Sequence, residues 1–382
     1  MFYNCHKLTF FNLNKFQIGA DTNMSYSFYN CQSLNKIEWN TIINYSNYPS
    51  DMRNMFYNCI SVNSINLPFI IASNNINMTK MFFNCINLTY VEFRTGSSYY
   101  PNDVHAMFYN CYSLVNLNLK NRIITDNVID MSYLFYNCSS LKSLDFIFSN
   151  KETKNMKGIF ENCKSFTSLD LSNFFTQKVE IMWNMFKDCE RLTILNIEHF
   201  DTSKVTDMES MFEGCSNLIS LSLENFNTTN VQYMNKMFKD CTSLTSLNFK
   251  NINTNSLGTM YQMFYNCKNL QYLNIYSMIE KEQSYTDIFT NTPNNFTFCI
   301  KENENIPNIF KILFAKNNTI RDCSNNCYNI TRVNITEKKL CCPFVKYKDN
   351  CYNKCPRKTR IFDKINICEE FNCSNNEYYD YE

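Results

Sequence analysis

Glycine and proline are scarce in this chain, with 5 and 7 among 382 residues, and histidine and tryptophan scarcer still, with 3 and 2. So little glycine leaves no loop able to cradle a phosphate through its backbone. So little of both leaves no flexible linker to divide the chain into independent bodies. None of His6, His105 and His199 has a cysteine or serine at a spacing that implies a nucleophile and its base. Charge is balanced to a formal +1, which gives no pull towards nucleic acid or an anionic membrane. There is no apolar run of 18 residues, so the sequence has no membrane span. We read no catalytic residue, metal site or cofactor from it.

What is abundant is periodic. Cysteine falls at positions 5, 31, 59, 85, 111, 138, 163, 189, 215, 241 and 267, at intervals of 25 to 28 residues. Around each lies the same skeleton, clearest in "FDTSKVTDMESMFEGCSNLISLSLENF" (200–226) and "FNTTNVQYMNKMFKDCTSLTSLNFKNI" (226–252). A unit of this length cannot bury its own apolar face, so the copies must stack into a solenoid with one continuous core.

Two hydrophobic periods share each unit. Leu218, Leu221 and Leu223 end on a spacing of two, which predicts a short strand. Val205, Met208, Met211 and Phe212 fit one stripe of a helix of about three turns. The residue before each repeat cysteine is Asn, Asp or Gly, from Asn4 through Asp188 and Gly214 to Asn266, which predicts a left-handed backbone closing that helix. Thr176, Thr202, Thr228 and Thr254 are expected as its N-caps. The fold class expected is therefore an α/β solenoid, a right-handed horseshoe with a parallel concave sheet and convex helices.

The eleven repeat cysteines are expected to form a core ladder of free thiols. Helices packed ~8–10 Å apart would hold neighbours beyond the ~7 Å Cα reach of a disulfide. Nine further cysteines, Cys299, Cys323, Cys327, Cys341, Cys342, Cys351, Cys355, Cys368 and Cys373, lie where the repeat stops. Few aliphatic residues accompany them, so disulfides are expected to hold this tail, with zinc as the rival reading. The division expected is a solenoid over 1–298 and a cysteine-rich segment over 299–382. Met1 matches the repeat methionines Met211 and Met237, so the chain reads as an N-terminally truncated piece whose signal and anchor lie elsewhere.

The stretch from Phe200 to Leu218, combining F-D-T-S-x-V-x-D-M with M-F-x-x-C-x-x-L, resembles the repeat of the BspA-like leucine-rich-repeat surface proteins, and in looser form the resemblance covers residues 1 to about 278. It implies a non-enzymatic, extracellular or cell-surface protein that recognises or adheres to a protein or glycan ligand on another cell or matrix. Asn-x-Ser/Thr sequons, such as Asn87 and Asn227, suit a secreted glycoprotein. The alternative is an intracellular leucine-rich-repeat scaffold with a zinc-binding tail.

On a strand, residues between the inward leucines point outward. Asp170, Asn196, Ser222, Asn248 and Asn274, flanked by Glu198, Glu224, Lys250 and Tyr276 and joined by Tyr272, are the candidate binding face. Glu38, Asn66, Glu92, Asn118 and Asp145 extend the column upstream.

Overall fold

The computed structural model describes residues 2–13, 23–38, 51–67, 74–93, 99–119, 123–145, 150–275, 278, 285–294 and 296–300, together with five later strand backbones. In each coil a strand pairs in parallel with its neighbours, and a second parallel pair joins Asn74–Asn77 to Tyr100–Asp103. Phe10–Asn12 pairs with Lys36–Glu38, Ser64–Leu67 with Tyr90–Phe93, Asn116–Asn118 with Ser143–Asp145, and Ser168–Leu169 with Ile194–Leu195. Ser220–Ser222, Ser246–Asn248, Tyr272–Asn274, Thr297–Ile300 and Thr319–Asp322 form one five-stranded sheet in chain order. Leu221 stands against Leu247 and Leu247 against Leu273, so each coil adds one repeat without a slip. The register puts like residues on top of one another.

The predicted helices are absent. The stripe Val205, Met208, Met211 and Phe212 is buried as expected, but no helix occurs among the described residues. In its place runs a chain of overlapping turns whose backbone N–H groups alternate between two destinations. Met208, Ser210, Phe212 and Gly214 donate to Tyr233, Asn235, Met237 and Lys239 of the next coil, while Met211, Glu213 and Cys215 donate three residues back within their own. An α-helix would have consumed every one of these donors internally and forced neighbours ~8–10 Å apart. The turns let this side of the coil stack at nearly the pitch of the strand side. A column of phenylalanines shows the spacing: Phe186, Phe212, Phe238 and Phe264 lie face to face at 5.6, 5.4 and 5.6 Å between ring centroids. Residues at i, i+3 and i+4 share a side in both geometries, so the apolar pattern could not separate them.

The left-handed residues do occur where the sequence placed them, from Asn4 through Gly214 to Asn266, although they close a turn rather than a helix. A second column four residues earlier was not foreseen: Tyr26, Asn54, Lys80, Ala106, Tyr133, Gly158, Asn184, Ser210, Lys236 and Gln262 also have positive φ. Each is the third residue of a turn such as that closed by Ser27 N–H to the Met24 carbonyl. Positive φ at that position alone defines a type II turn. Side chains from Ala to Tyr there each cost roughly 1–2 kcal/mol in this region, which the cross-coil hydrogen bonds must offset.

The repeat threonines do not cap helices. The Thr202 hydroxyl donates to the Asn227 carbonyl at 2.9 Å and accepts the Asn227 N–H at 2.8 Å, and Thr228 does the same with Asn253. These two staple one coil to the next, whereas the buried Thr176 hydroxyl has no hydrogen-bond partner among the described residues. Corners that lack glycine and proline turn on Asn and Asp, whose side-chain oxygens accept the N–H two residues on: Asp170 from Ser172, Asp201 from Ser203, Asp207 from Glu209 and Asn227 from Thr229.

Ten of the eleven repeat cysteines are buried, and all eleven are free. The thiol ladder is as expected but the spacing argument behind it fails, since no helices keep the coils apart. Parallel, in-register stacking at strand spacing leaves Cβ atoms ~4.8 Å apart, outside the ~3.5–4.5 Å of a disulfide. Each thiol also has its own acceptor: Cys189, Cys215 and Cys241 donate to the carbonyls of Phe160, Phe186 and Phe212 one coil back, at 3.1–3.2 Å. Burial pushes these thiols well above their ordinary pKa, and Cys31, nearer the end of the stack, up to about 11.

Beyond residue 300 the strands Val345–Tyr347, Asn350–Tyr352, Thr359–Phe362 and Ile367–Glu370 form a separate four-stranded sheet. Cys299, Cys351 and Cys368 fall within strands known only as backbone. Cys323, Cys327, Cys341, Cys342, Cys355 and Cys373 lie outside the described residues, as does the pairing expected of them.

Candidate functional site

The strand face carries the predicted column in register. Ser222 is level with Asn248 and Asn248 with Asn274, all pointing away from the core that Leu221, Leu247 and Leu273 enter. Asp170, Asn196, Glu198 and Glu224 are exposed, and Ser222 is half-buried. Hydrogen bonds fix the corner beyond the strand. Asp170 accepts the Ser172 N–H at 2.9 Å, a bond that holds its carboxyl below the usual range. Asn225 and Asn251 donate to the carbonyls of Glu198 and Glu224, at 3.1 and 2.6 Å.

The column is not uniformly accessible. Asn248, Tyr272 and Asn274 are buried and Lys250 is half-buried, while Tyr276 lies outside the described residues. Of the upstream extension, Asn66 and Asp145 are exposed and Glu38 and Glu92 half-buried. The open part of the face in the later coils therefore runs from Ser168 to Glu224. It contains two residues that the polar reading missed: Ile194 is 70% exposed and Ile219 52% exposed. Their signal was in the sequence, since the positions equivalent to Ile194 in neighbouring coils are Ser168 and Ser220. An isoleucine facing water between serines has no packing explanation.

The opposite, turn-built side carries an outward column two residues before each repeat cysteine. In the first coils, Tyr3, Tyr29, Tyr57, Phe83, Tyr109 and Tyr136 stack ring on ring at 4.3–4.8 Å. The same column continues as Glu161, Lys187, Glu213 and Lys239, with ion pairs from Lys187 and Lys239 to Glu213 at 3.1 and 2.8 Å. Burial opposes the Glu213 charge, but hydrogen bonds from Lys239, Ser210 and Lys187 outweigh it and lower its pKa. Asp188 and Glu161 are raised, first by burial.

His105 lies beside a serine and a carboxylate, and the geometry is not that of a triad. Its Nδ1 is 2.7 Å from Ser132 Oγ, but that hydroxyl donates to Asp130. The imidazole is thus left without the serine proton that a base would take. The acidic residues Asp201, Asp207 and Glu209 take part in turns, and no group of three or more metal-type side chains converges among the described residues.

Comparison with protein families places this geometry. A family described as Mycoplasma protein of unknown function, DUF285, matches residues 102–195 and 182–301, together more than half of the chain. The BspA type leucine rich repeat region matches residues 1–132 in six copies. The chain belongs to the first of these families, and the second is matched by residues 1–132 alone. Among solved structures, 19 chains match. One is a leucine-rich repeat protein from Bacteroides ovatus, at 19% identity over 71% of this chain and 80% of that one, with a TM-score of 0.31. No curated protein matches. The BspA-type repeat marks a surface-type repeat protein with a role in protein interaction. No helix among the described residues is long and apolar enough to cross a membrane.

Proposed function

We propose that this BspA-type chain is a non-enzymatic recognition or adhesion module, displayed outside the cell, which binds a protein or glycan through the strand face of its solenoid. The observation that carries the reading is the open face between Ser168 and Glu224. There two exposed isoleucines, Ile194 and Ile219, sit within a polar rim of Asp170, Asn196, Glu198, Ser222 and Glu224. An apolar centre in a polar surround is the composition of an interaction surface. Asn248, Lys250, Tyr272, Asn274 and Tyr276 continue the surface towards its far end. We assign the solenoid to 1–322, because Thr297–Ile300 and Thr319–Asp322 continue its parallel sheet past the expected boundary at 298, and a disulfide-held segment to 323–382.

The test is attachment of the full chain to cells or matrix. Glu198→Lys with Glu224→Lys, and separately Ile194→Ser with Ile219→Ser, should leave folding intact and weaken attachment at least tenfold. Unchanged attachment by both variants, with loss on substitution of Glu209 and Lys236 on the turn side, would overturn the assignment.

A further inference from the structure

The stacked tyrosines of the turn side have no part in the proposed ligand face, and their geometry has a chemical consequence. Tyr3 and Tyr29 lie at 4.8 Å with 5° between planes, Tyr29 and Tyr57 at 4.7 Å and 13°, and Tyr109 and Tyr136 at 4.3 Å and 11°. Tyr3 is 56% exposed and the other four are half-buried, so the rings are held yet reachable. Phe83 stands between Tyr57 and Tyr109 at 4.6 and 4.4 Å and breaks the phenol series into two runs. Other exposed tyrosines, Tyr90, Tyr112 and Tyr233, are not in the stack, and Tyr26 meets it only at a tilt, 5.5 Å and 47° from Tyr29.

We propose that this ladder is a site of oxidative modification, at which a one-electron oxidant, hydrogen peroxide acting through a haem peroxidase, couples stacked neighbours into dityrosine and covalently staples successive coils. Each phenol gives up one hydrogen atom, as an electron and a proton. The two resulting radicals join through a carbon–carbon bond between ring carbons ortho to the oxygens. The hydrogens on those carbons then move to the phenol oxygens, restoring both rings. One peroxide takes up the two hydrogen atoms and leaves as two waters. Coupling requires that a tyrosyl radical meet a second one before it decays, and rigid parallel stacking supplies that partner within the same molecule. Rings that meet edge to face, such as Tyr133 and Tyr136 at 82°, present their ortho carbons less well.

The test treats the dilute full-length protein with hydrogen peroxide and a haem peroxidase, then reads dityrosine fluorescence and maps the joined peptides of the monomer by mass spectrometry. Couplings are expected for Tyr3 with Tyr29, Tyr29 with Tyr57 and Tyr109 with Tyr136, and none between Tyr57 and Tyr109. Tyr29→Phe should abolish the first two and keep the third. Phe83→Tyr should add couplings of position 83 to both neighbours, a gain that loss of folding cannot imitate. Dityrosine found only in covalent dimers, or equally at Tyr90, Tyr112 and Tyr233, or undiminished in Tyr29→Phe, would overturn the proposal.

Discussion

The coils up to residue 145 and those from 150 to 275 share one backbone and one core but decorate it differently. In the first set the column beside the left-handed residues is aromatic, and that residue itself is asparagine. Asn30 donates to Asn4, Asn58 to Asn30, Asn110 to Asn84 and Asn137 to Asn110. In the second set the column is Glu161, Lys187, Glu213 and Lys239, before returning to an aromatic residue at Tyr265. Further cross-coil ion pairs join Lys154 to Glu180, Lys164 to Glu190 and Lys178 to Glu152. At strand-like pitch a side chain lies against its own equivalent twice, once above and once below. Identical aromatics and amides satisfy that arrangement by stacking and by amide ladders. Identical charges cannot, so a charged column has to alternate in sign. Gly214 shows the constraint locally: a Cβ there would collide with Asp188 Oδ1.

The sharpest challenge to this comparison is to attack what the regions share. Phe108→Ala and Phe212→Ala each open a cavity in the same phenylalanine column, and each should cost ~3–5 kcal/mol by urea unfolding. A cost confined to one region would show that the core is not common to both. Next in size is a break of the charged column. Glu213→Lys places three lysines in a row, the middle one at a buried position, and should cost ~2 kcal/mol.

The milder Glu213→Gln should cost ~1 kcal/mol at neutral pH, and the difference from the parent should fade on acidification. A carboxylate whose pKa is lowered on folding stabilises above its unfolded value, ~4.3, and loses that contribution as pH falls through the folded value. Asp188 and Glu161 have raised values and act in the opposite sense. Their contribution is present below the unfolded pKa and is lost as pH rises through the folded one. Asp188→Asn should accordingly stabilise by ~0.5 kcal/mol at pH 7, the smallest effect, by restoring an amide to the ladder and removing a half-buried charge. Destabilisation by that change would mean that Asp188 depends on Lys187 more than on burial.

Much of this architecture was legible in the sequence. The period, the inward leucines, the buried Met, Phe and Cys positions and one column of left-handed residues could all be read from residue type. The helix could not be told from the turns, because Val205, Met208, Met211 and Phe212 occupy one side in either geometry. What separates them is whether Ser210 N–H bonds within the coil or across it, and no side chain announces that. The second left-handed column was hidden because Tyr26, Lys80, Ala106 and Gln262 share no chemistry. At the candidate face, alternation gave the outward direction of Asp170 to Asn274 but not the burial of Asn248 and Asn274, which depends on what lies over the strand. Ile194 and Ile219 were overlooked because an isoleucine beside a leucine reads as core.

Both sides of the described coils stack at strand-like pitch through cross-coil hydrogen bonds. Cysteine marks the turn side once per coil, so the most direct measurement is the Cα–Cα separation of ladder neighbours by dipolar recoupling on protein labelled with ¹³C in cysteine. Cross-coil stacking predicts a dominant separation of ~5 Å. A dominant separation of ~8–10 Å, the packing distance of helices, would contradict it.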